Sequence, residues 1–281
     1  MSVYLETNAL RKLTNYECEE SVYTSIFAIF ELLAGITEED FEIRKACLKR
    51  IEEQKIEIRG PMVDKLFMDL IGATNCNAIE YKIIMDIYYA ALKAENYFEF
   101  NKINIVVTDI YNKTNFLNAH TWLKNWDNSI SKITKNSGTI FKDENKKYIE
   151  QIYNTDGVKG LARHFWLKMD NNRIDDERLS HAEAFVGTDE VKNIHKDMDN
   201  LFSKYNFKLF MVAQAVIFAK AYFINGNTQN SNNATDLLHL LYLNENDKFV
   251  SNDKIYQTIS EACPEFELIF LDNQKKLSDL F

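Results

Sequence analysis

Four carboxylates stand where an acid is costly. Glu6 ends the apolar stretch Val3-Tyr4-Leu5, and Glu31 interrupts Ile26-Phe27-Ala28-Ile29-Phe30-Glu31-Leu32-Leu33. Asp236 opens Leu237-Leu238-His239-Leu240-Leu241, and Asp253 follows Phe249-Val250-Ser251-Asn252. An ionised carboxylate among apolar neighbours must be paired, neutralised or metal-bound. Convergence of the four would make a divalent-cation site. Mg²⁺ and Mn²⁺ want oxygen ligands, and Mg²⁺ keeps several waters while binding one or two carboxylates and a substrate phosphate. A metal held there lowers the pKa of a bound water and polarises a scissile phosphate; two ions about 3.5–4 Å apart share those tasks. Each acid also has a plain structural use: Glu6 as cap of the following turn, Glu31 on a solvent-facing helix side, Asp236 and Asp253 as N-caps.

Other polar residues flank these acids. Asn8 and Ser251 are placed to orient a carboxylate or a water, and Lys254 is placed for a phosphate contact or as a solvated surface lysine. His239 comes one helical turn after Asp236, so its spacing suits a metal ligand, although a histidine packed in the core is the expected reading.

The elements that must position these groups read as a split α/β unit. Val3–Leu5 is the first strand, Asn8–Leu13 a short helix, and Ser21 or Ser25 precedes an apolar helix that Gly35 stops. A helix opened by the acids of Thr37–Asp40 follows, then a short strand over Ile56–Ile58 closed by Gly60-Pro61. From Met62 to Tyr205 the pattern is helical, including one helix over Ala78–Phe98; Ile103–Val107 fits strand or helix. After a polar loop at Asn225–Asn233 the β/α rhythm returns: a helix at Asp236–Leu243, a strand at Phe249-Val250, a helix at Lys254–Cys263 and a strand at Phe266–Leu271. Short strands separated by helices imply a small, mostly parallel sheet flanked by helices, interrupted by a large all-α insertion. In such sheets ligands bind outside the carboxyl ends of the strands, where Glu6 and Asp253 fall.

Composition supports this class. Of 281 residues 46% are apolar and 13% aromatic, and only two prolines and eight glycines are present, which favours long helices. Cys18, Cys47, Cys76 and Cys263 are too dispersed for a zinc motif or a disulfide framework and fit reduced thiols in a cytoplasmic protein. Glu6 interrupts the N-terminus before any signal-peptide core forms. The most apolar run, Phe207–Phe223, carries Lys208, Gln214 and Lys220 and reads as a buried helix, so no membrane association is expected.

The net charge of −9 argues against simple wrapping of nucleic acid. Residues 101–168, however, hold eleven lysines and arginines against six acids. Trp122, Trp126, Tyr148, Tyr153, Phe165 and Trp166 interleave with them, as stacking and phosphate contact would require, or as core aromatics beside a wet charged face. His181-Ala182-Glu183 lacks the downstream cysteines of a zinc deaminase, and neither nucleotide-binding glycine motif occurs.

Val3-Tyr4-Leu5-Glu6-Thr7-Asn8-Ala9-Leu10 resembles the opening strand of PIN-domain nucleases, usually an apolar strand followed by Asp-Thr-Asn. Glu31-Leu32 resembles that family's second acid, Thr235-Asp236-Leu237-Leu238-His239 its third, and Phe249-Val250-Ser251-Asn252-Asp253-Lys254 the strand carrying its fourth. The resemblance covers residues 1–70 and 206–281. It implies a discontinuous PIN-like domain, with residues 71–205 as a helical insertion that selects substrate, binds a partner or mediates self-association. It further implies a metal-dependent endoribonuclease in which Glu6, Glu31, Asp236 and Asp253 hold Mg²⁺ or Mn²⁺ and a metal-activated water attacks RNA. Relatives of this kind include toxins of toxin–antitoxin modules. The chain departs from the pattern at Glu6, whose extra methylene moves the carboxylate by about 1.5 Å. That departure suits a second expectation, a catalytically degenerate module binding RNA or protein through its insertion.

Overall fold

The computed structural model describes residues 2–13, 21–34, 36–63, 81–110, 150–157, 236–262 and 268–270, with single positions around 65–69, 148 and 204–216. The elements are β1 (Ser2–Leu5), α1 (Thr7–Arg11), β2 (Ser21–Ser25), α2 (Ile26–Leu33), α3 (Phe41–Glu53), β3 (Glu57–Arg59), α4 (Tyr81–Lys93) and α5 (Tyr97–Ile110). A 3₁₀ helix (Leu237–Tyr242), β4 (Lys248–Ser251), α6 (Lys254–Ala262) and β5 (Leu268–Phe270) complete them.

The strands form one parallel sheet in the order β3-β2-β1-β4-β5. β1 is central, and Val3, Tyr4 and Leu5 are fully buried, as a strand covered on both faces requires. From β1 the chain builds outward to β2 and β3, and later returns on the other side as β4 and β5. The β1–β4 junction is therefore the point where strand order reverses.

Register explains the two rows of side chains on one face. Tyr4 lies opposite Tyr23 and Phe249, with ring centroids 5.3 and 5.4 Å away. Two residues further along each strand, on the same face by the period of two, come Ser25, Glu6 and Ser251. An aromatic row thus gives way to a polar row at the carboxyl edge.

β2 is the strand that pattern reading did not mark. Ser21 and Ser25 suggest caps, and Ser25 does cap α2, its Oγ accepting from the Ala28 N–H at 3.0 Å. The same stretch nevertheless extends as a strand between β1 and β3, because Thr24 donates to the Leu5 carbonyl at 2.8 Å and Ser25 bonds Tyr4. Ser25, which reads as a cap, and Thr24 are both satisfied across the sheet.

The single helix expected over Ala78–Phe98 is two. α4 stops at Lys93, and Asn96 begins α5, accepting from the Glu99 N–H at 3.0 Å while Glu99 accepts from the Glu95 N–H at 2.9 Å. Ile103–Val107 falls within α5 and is helical. Ile83, Ile84, Ile87, Tyr88 and Ala91 join Val3, Leu5, Leu32 and Phe249 in one buried cluster, so α4 packs on the same core as the sheet. Residues 111–147 and 158–203, which hold most of the expected insertion and of the basic, aromatic window, lie outside the described residues, as does His181. Among the described residues no helix is long and apolar enough to cross a membrane.

Candidate metal centre

Glu6 leaves β1 with an extended backbone, its N–H donating to the Val250 carbonyl at 3.2 Å. Its carboxylate is 2% exposed. Oε2 caps α1 by accepting from the Asn8 N–H at 3.0 Å, and it accepts a second bond from the Ser251 hydroxyl at 2.8 Å. Asn8 therefore orients Glu6 through its backbone, while its side-chain oxygen accepts from Arg11 at 3.4 Å. Both bonds fall on one oxygen, and Oε1 takes none from a described residue. Burial pushes the Glu6 carboxyl up to about 7, with Glu31 adding to the rise and His239, Ser251 and Asn8 opposing it.

Glu31 sits one turn after Phe27 on α2, with its side chain 17% exposed. Its Oε2 accepts from the Thr7 hydroxyl and lies 2.8 Å from His239 Nε2. The backbone behind it is clamped: Arg44 Nη1 donates to the carbonyls of Leu32 at 3.1 Å and Ala34 at 2.9 Å, and more distantly to that of Glu31. These are the carbonyls a helix end leaves without partners.

His239 comes from the helix expected there, which is of the 3₁₀ type. Leu237, Leu238, Leu240 and Leu241 are all buried, which fixes the turn, and the imidazole is fully buried beside the Phe27 ring at 4.9 Å. Nδ1 lies 2.6 Å from the Tyr4 hydroxyl, which also bonds Ser25 at 2.8 Å. Burial alone would push this histidine down. The Glu31 charge and hydrogen bond, with Glu6 behind them, outweigh it and hold the imidazolium form above its usual range.

Glu6, Glu31 and His239 each bring one ligand atom within 4.8 Å of the other two. Two ligands about 2.1 Å from one ion stand at most about 4.2 Å apart, so the donor set fits a metal ion with small side-chain adjustments. Among the described residues this group contains neither Asp236 nor Asp253. Asp236 heads the 3₁₀ helix, and three-residue spacing puts it on the same side as His239. It makes no side-chain cap, and its carbonyl accepts from the buried Tyr256 hydroxyl. Burial and the nearby negative charge of Glu6 and Asp236 hold Tyr256 well above its ordinary value. Asp253 caps α6 by accepting from the Ile255 N–H at 3.2 Å, and its own N–H donates to the Ser251 Oγ that holds Glu6. Lys254 is exposed at the first turn of α6.

The sequence pattern brought out Glu6 and Glu31 but set His239 down as core. Its three-residue offset from Asp236 was the signal for the third member. The cluster lies at the carboxyl edge of the sheet, beside the β1–β4 junction where open parallel sheets bind ligands. Comparisons with protein-family models, with curated proteins and with solved structures find no match to this chain.

Proposed function

We propose that the chain is a divalent-metal-dependent ribonuclease that hydrolyses RNA phosphodiester bonds at this cluster. The observation that carries the reading is the convergence of Glu6, Glu31 and His239 at the β1–β4 junction. The PIN-like order of Glu6, Glu31, Asp236 and Asp253 along the chain adds to it, as does the basic, aromatic stretch that an RNA strand would need.

Glu6, Glu31 and His239 would hold the cation, Mg²⁺ or Mn²⁺, with Asp236 and Asp253 on its border. Such an ion, when bound, supplies Lewis acidity to water and to a phosphate oxygen. Ser251 and the Asn8 N–H fix the Glu6 carboxylate, Thr7 fixes Glu31, and Lys254 lies at the edge where a phosphate would arrive. The domain boundaries of this reading are 1–70 and 206–281, with residues 71–205 as the helical insertion that contacts RNA, a regulatory partner or a second copy. A cytoplasmic location suits the dispersed thiols.

One observation favours a second reading, a degenerate module that binds RNA or protein without cleaving it. The His239–Glu31 contact at 2.8 Å already balances one of the buried charges from within the protein. Incubation of the wild type with single-stranded and structured RNA and either Mn²⁺ or Mg²⁺ separates the two. The nuclease reading expects metal-dependent cleavage that Glu31→Gln and Asp236→Asn each reduce at least about a hundredfold, roughly 3 kcal/mol of transition-state stabilisation. Cleavage that survives both substitutions removes the assigned site, and RNA retention without cleavage under either metal supports the binding module.

A further inference from the structure

The donor set at the β1–β4 junction is not all oxygen, and the environment of its nitrogen bears on which ion it takes. This inference rests on the reading that the cluster binds a divalent cation. We propose that His239 Nε2 is a metal ligand held in its ligating form by Tyr4, and that the site therefore selects a divalent transition ion over Mg²⁺.

Three observations support it. First, Nε2 points at the acids: it is 2.8 Å from Glu31 Oε2 and inside the 4.8 Å set that includes Glu6. At 2.8 Å two lone pairs would repel, so one hydrogen lies between Nε2 and Oε2. A cation entering among the donors takes that position, and the proton leaves to solvent.

Second, the other ring nitrogen is provided for. With Nε2 ligating, the remaining ring proton sits on Nδ1 and donates to Tyr4 Oη, 2.6 Å away. The Tyr4 hydroxyl then donates to Ser25 Oγ at 2.8 Å, whose second lone pair accepts the Ala28 N–H. The Nδ1 and Tyr4 hydrogens thus each have an acceptor. A ligating histidine commonly donates its second N–H to a fixed oxygen, which sets the tautomer and the ring orientation. Tyr4 is therefore a positioning residue, acting on the ion through His239.

Third, the ring cannot turn away. It is fully buried, braced by Phe27 at 4.9 Å and carried on a turn whose four leucines are in the core. Both carboxylates, meanwhile, have their hydrogen bonds on Oε2, and Oε1 of each takes none from a described residue. One imidazole with two carboxylates is a borderline donor set. Imidazole favours later divalent transition ions, whereas Mg²⁺ prefers oxygen ligands and keeps its waters.

The test uses the full chain with Mn²⁺ as a paramagnetic probe. Electron spin echoes of bound Mn²⁺ are expected to show modulation from a directly coordinated ¹⁴N, and Mg²⁺ at equal concentration is expected not to displace the ion. His239→Gln and Glu31→Gln should each abolish the ¹⁴N signal from this site, so attribution survives even if the histidine variant fails to fold. Tyr4→Phe should keep the ¹⁴N ligand and weaken Mn²⁺ binding about 10–100-fold. Bound Mn²⁺ without nitrogen modulation, or lost to equimolar Mg²⁺, overturns this inference and leaves the metal-dependent reading standing. Binding of neither ion overturns both.

Discussion

The hydroxyl of Ser251 donates to Oε2 of Glu6 across 2.8 Å, joining residues 245 apart in the chain at the point where the strand order reverses. The contact follows from register. Leu5 pairs with Val250, so the next residue on each strand, Glu6 and Ser251, meet on the same face. Ser251 also accepts the Asp253 N–H, which ties the end of β4 and the start of α6 to the same carboxylate.

Ser251→Ala removes the only side-chain donor to the Glu6 carboxylate among the described residues. A buried acceptor left without its donor costs about 1–3 kcal/mol, and urea unfolding should show a loss of that size with an unchanged slope. Mn²⁺ affinity should fall with it, since Glu6 then keeps only the Asn8 N–H. Wild-type stability in the variant would mean that the hydroxyl does not hold the carboxylate in solution.

Much of this arrangement was legible in the sequence, for physical reasons that differ by residue. Glu6 stood out because three fully buried apolar residues precede it, and Glu31 because α2 is otherwise apolar. β4 and β5 were placed to within two residues at each end, since short apolar runs between helices leave few alternatives. β2 escaped because Thr24 and Ser25 are satisfied by Leu5 and Tyr4, partners about 20 residues away that no local pattern displays. His239 escaped for the same reason at longer range: its partner Glu31 lies 208 residues earlier, and a histidine among leucines reads as core until the two are brought together. Asp253 read as a ligand with a cap as its plainer alternative, and the cap is the bond its side chain makes among the described residues.

Arg44 predicts a separable effect on Glu31. Its guanidinium takes the carbonyls at the end of α2 and pairs through Nε with Asp40 at 2.6 Å, so it fixes the helix terminus from which Glu31 projects. Arg44→Met keeps the aliphatic stem and should cost about 1.5–3 kcal/mol, the range for hydrogen bonds to a charged group. Arg44→Lys should recover less than half of that, because a single ammonium cannot replace a planar fork. Thermal melts of the two variants with and without Mn²⁺ give the check: the metal-induced rise should shrink in Arg44→Met. If both variants melt like wild type, the clamp is dispensable.

The pH dependence of the metal-free protein carries the sharpest sign. Glu6 is raised from 4.5 to about 7, so between those values the folded chain holds a proton that the unfolded chain has released. Stability then falls as pH rises: the contribution is complete below about pH 4.5 and gone above about pH 7, on the order of 3 kcal/mol over the interval. His239 is also raised, above its ordinary 6.5, so its contribution is complete below that value and is lost on the alkaline side of it, in the same direction. Melting in chelator should therefore drop between about pH 5 and pH 8, with a flatter slope in Glu6→Gln, which keeps the shape and loses the titration. A bound cation reverses the trend, since it needs the same groups deprotonated. The Mn²⁺-induced rise in melting temperature should be larger at about pH 7.5 than at about pH 5.5. A chelated protein that gains stability over this range, with Glu6→Gln following the same curve, would show that the Glu6 carboxyl is not held protonated in the fold.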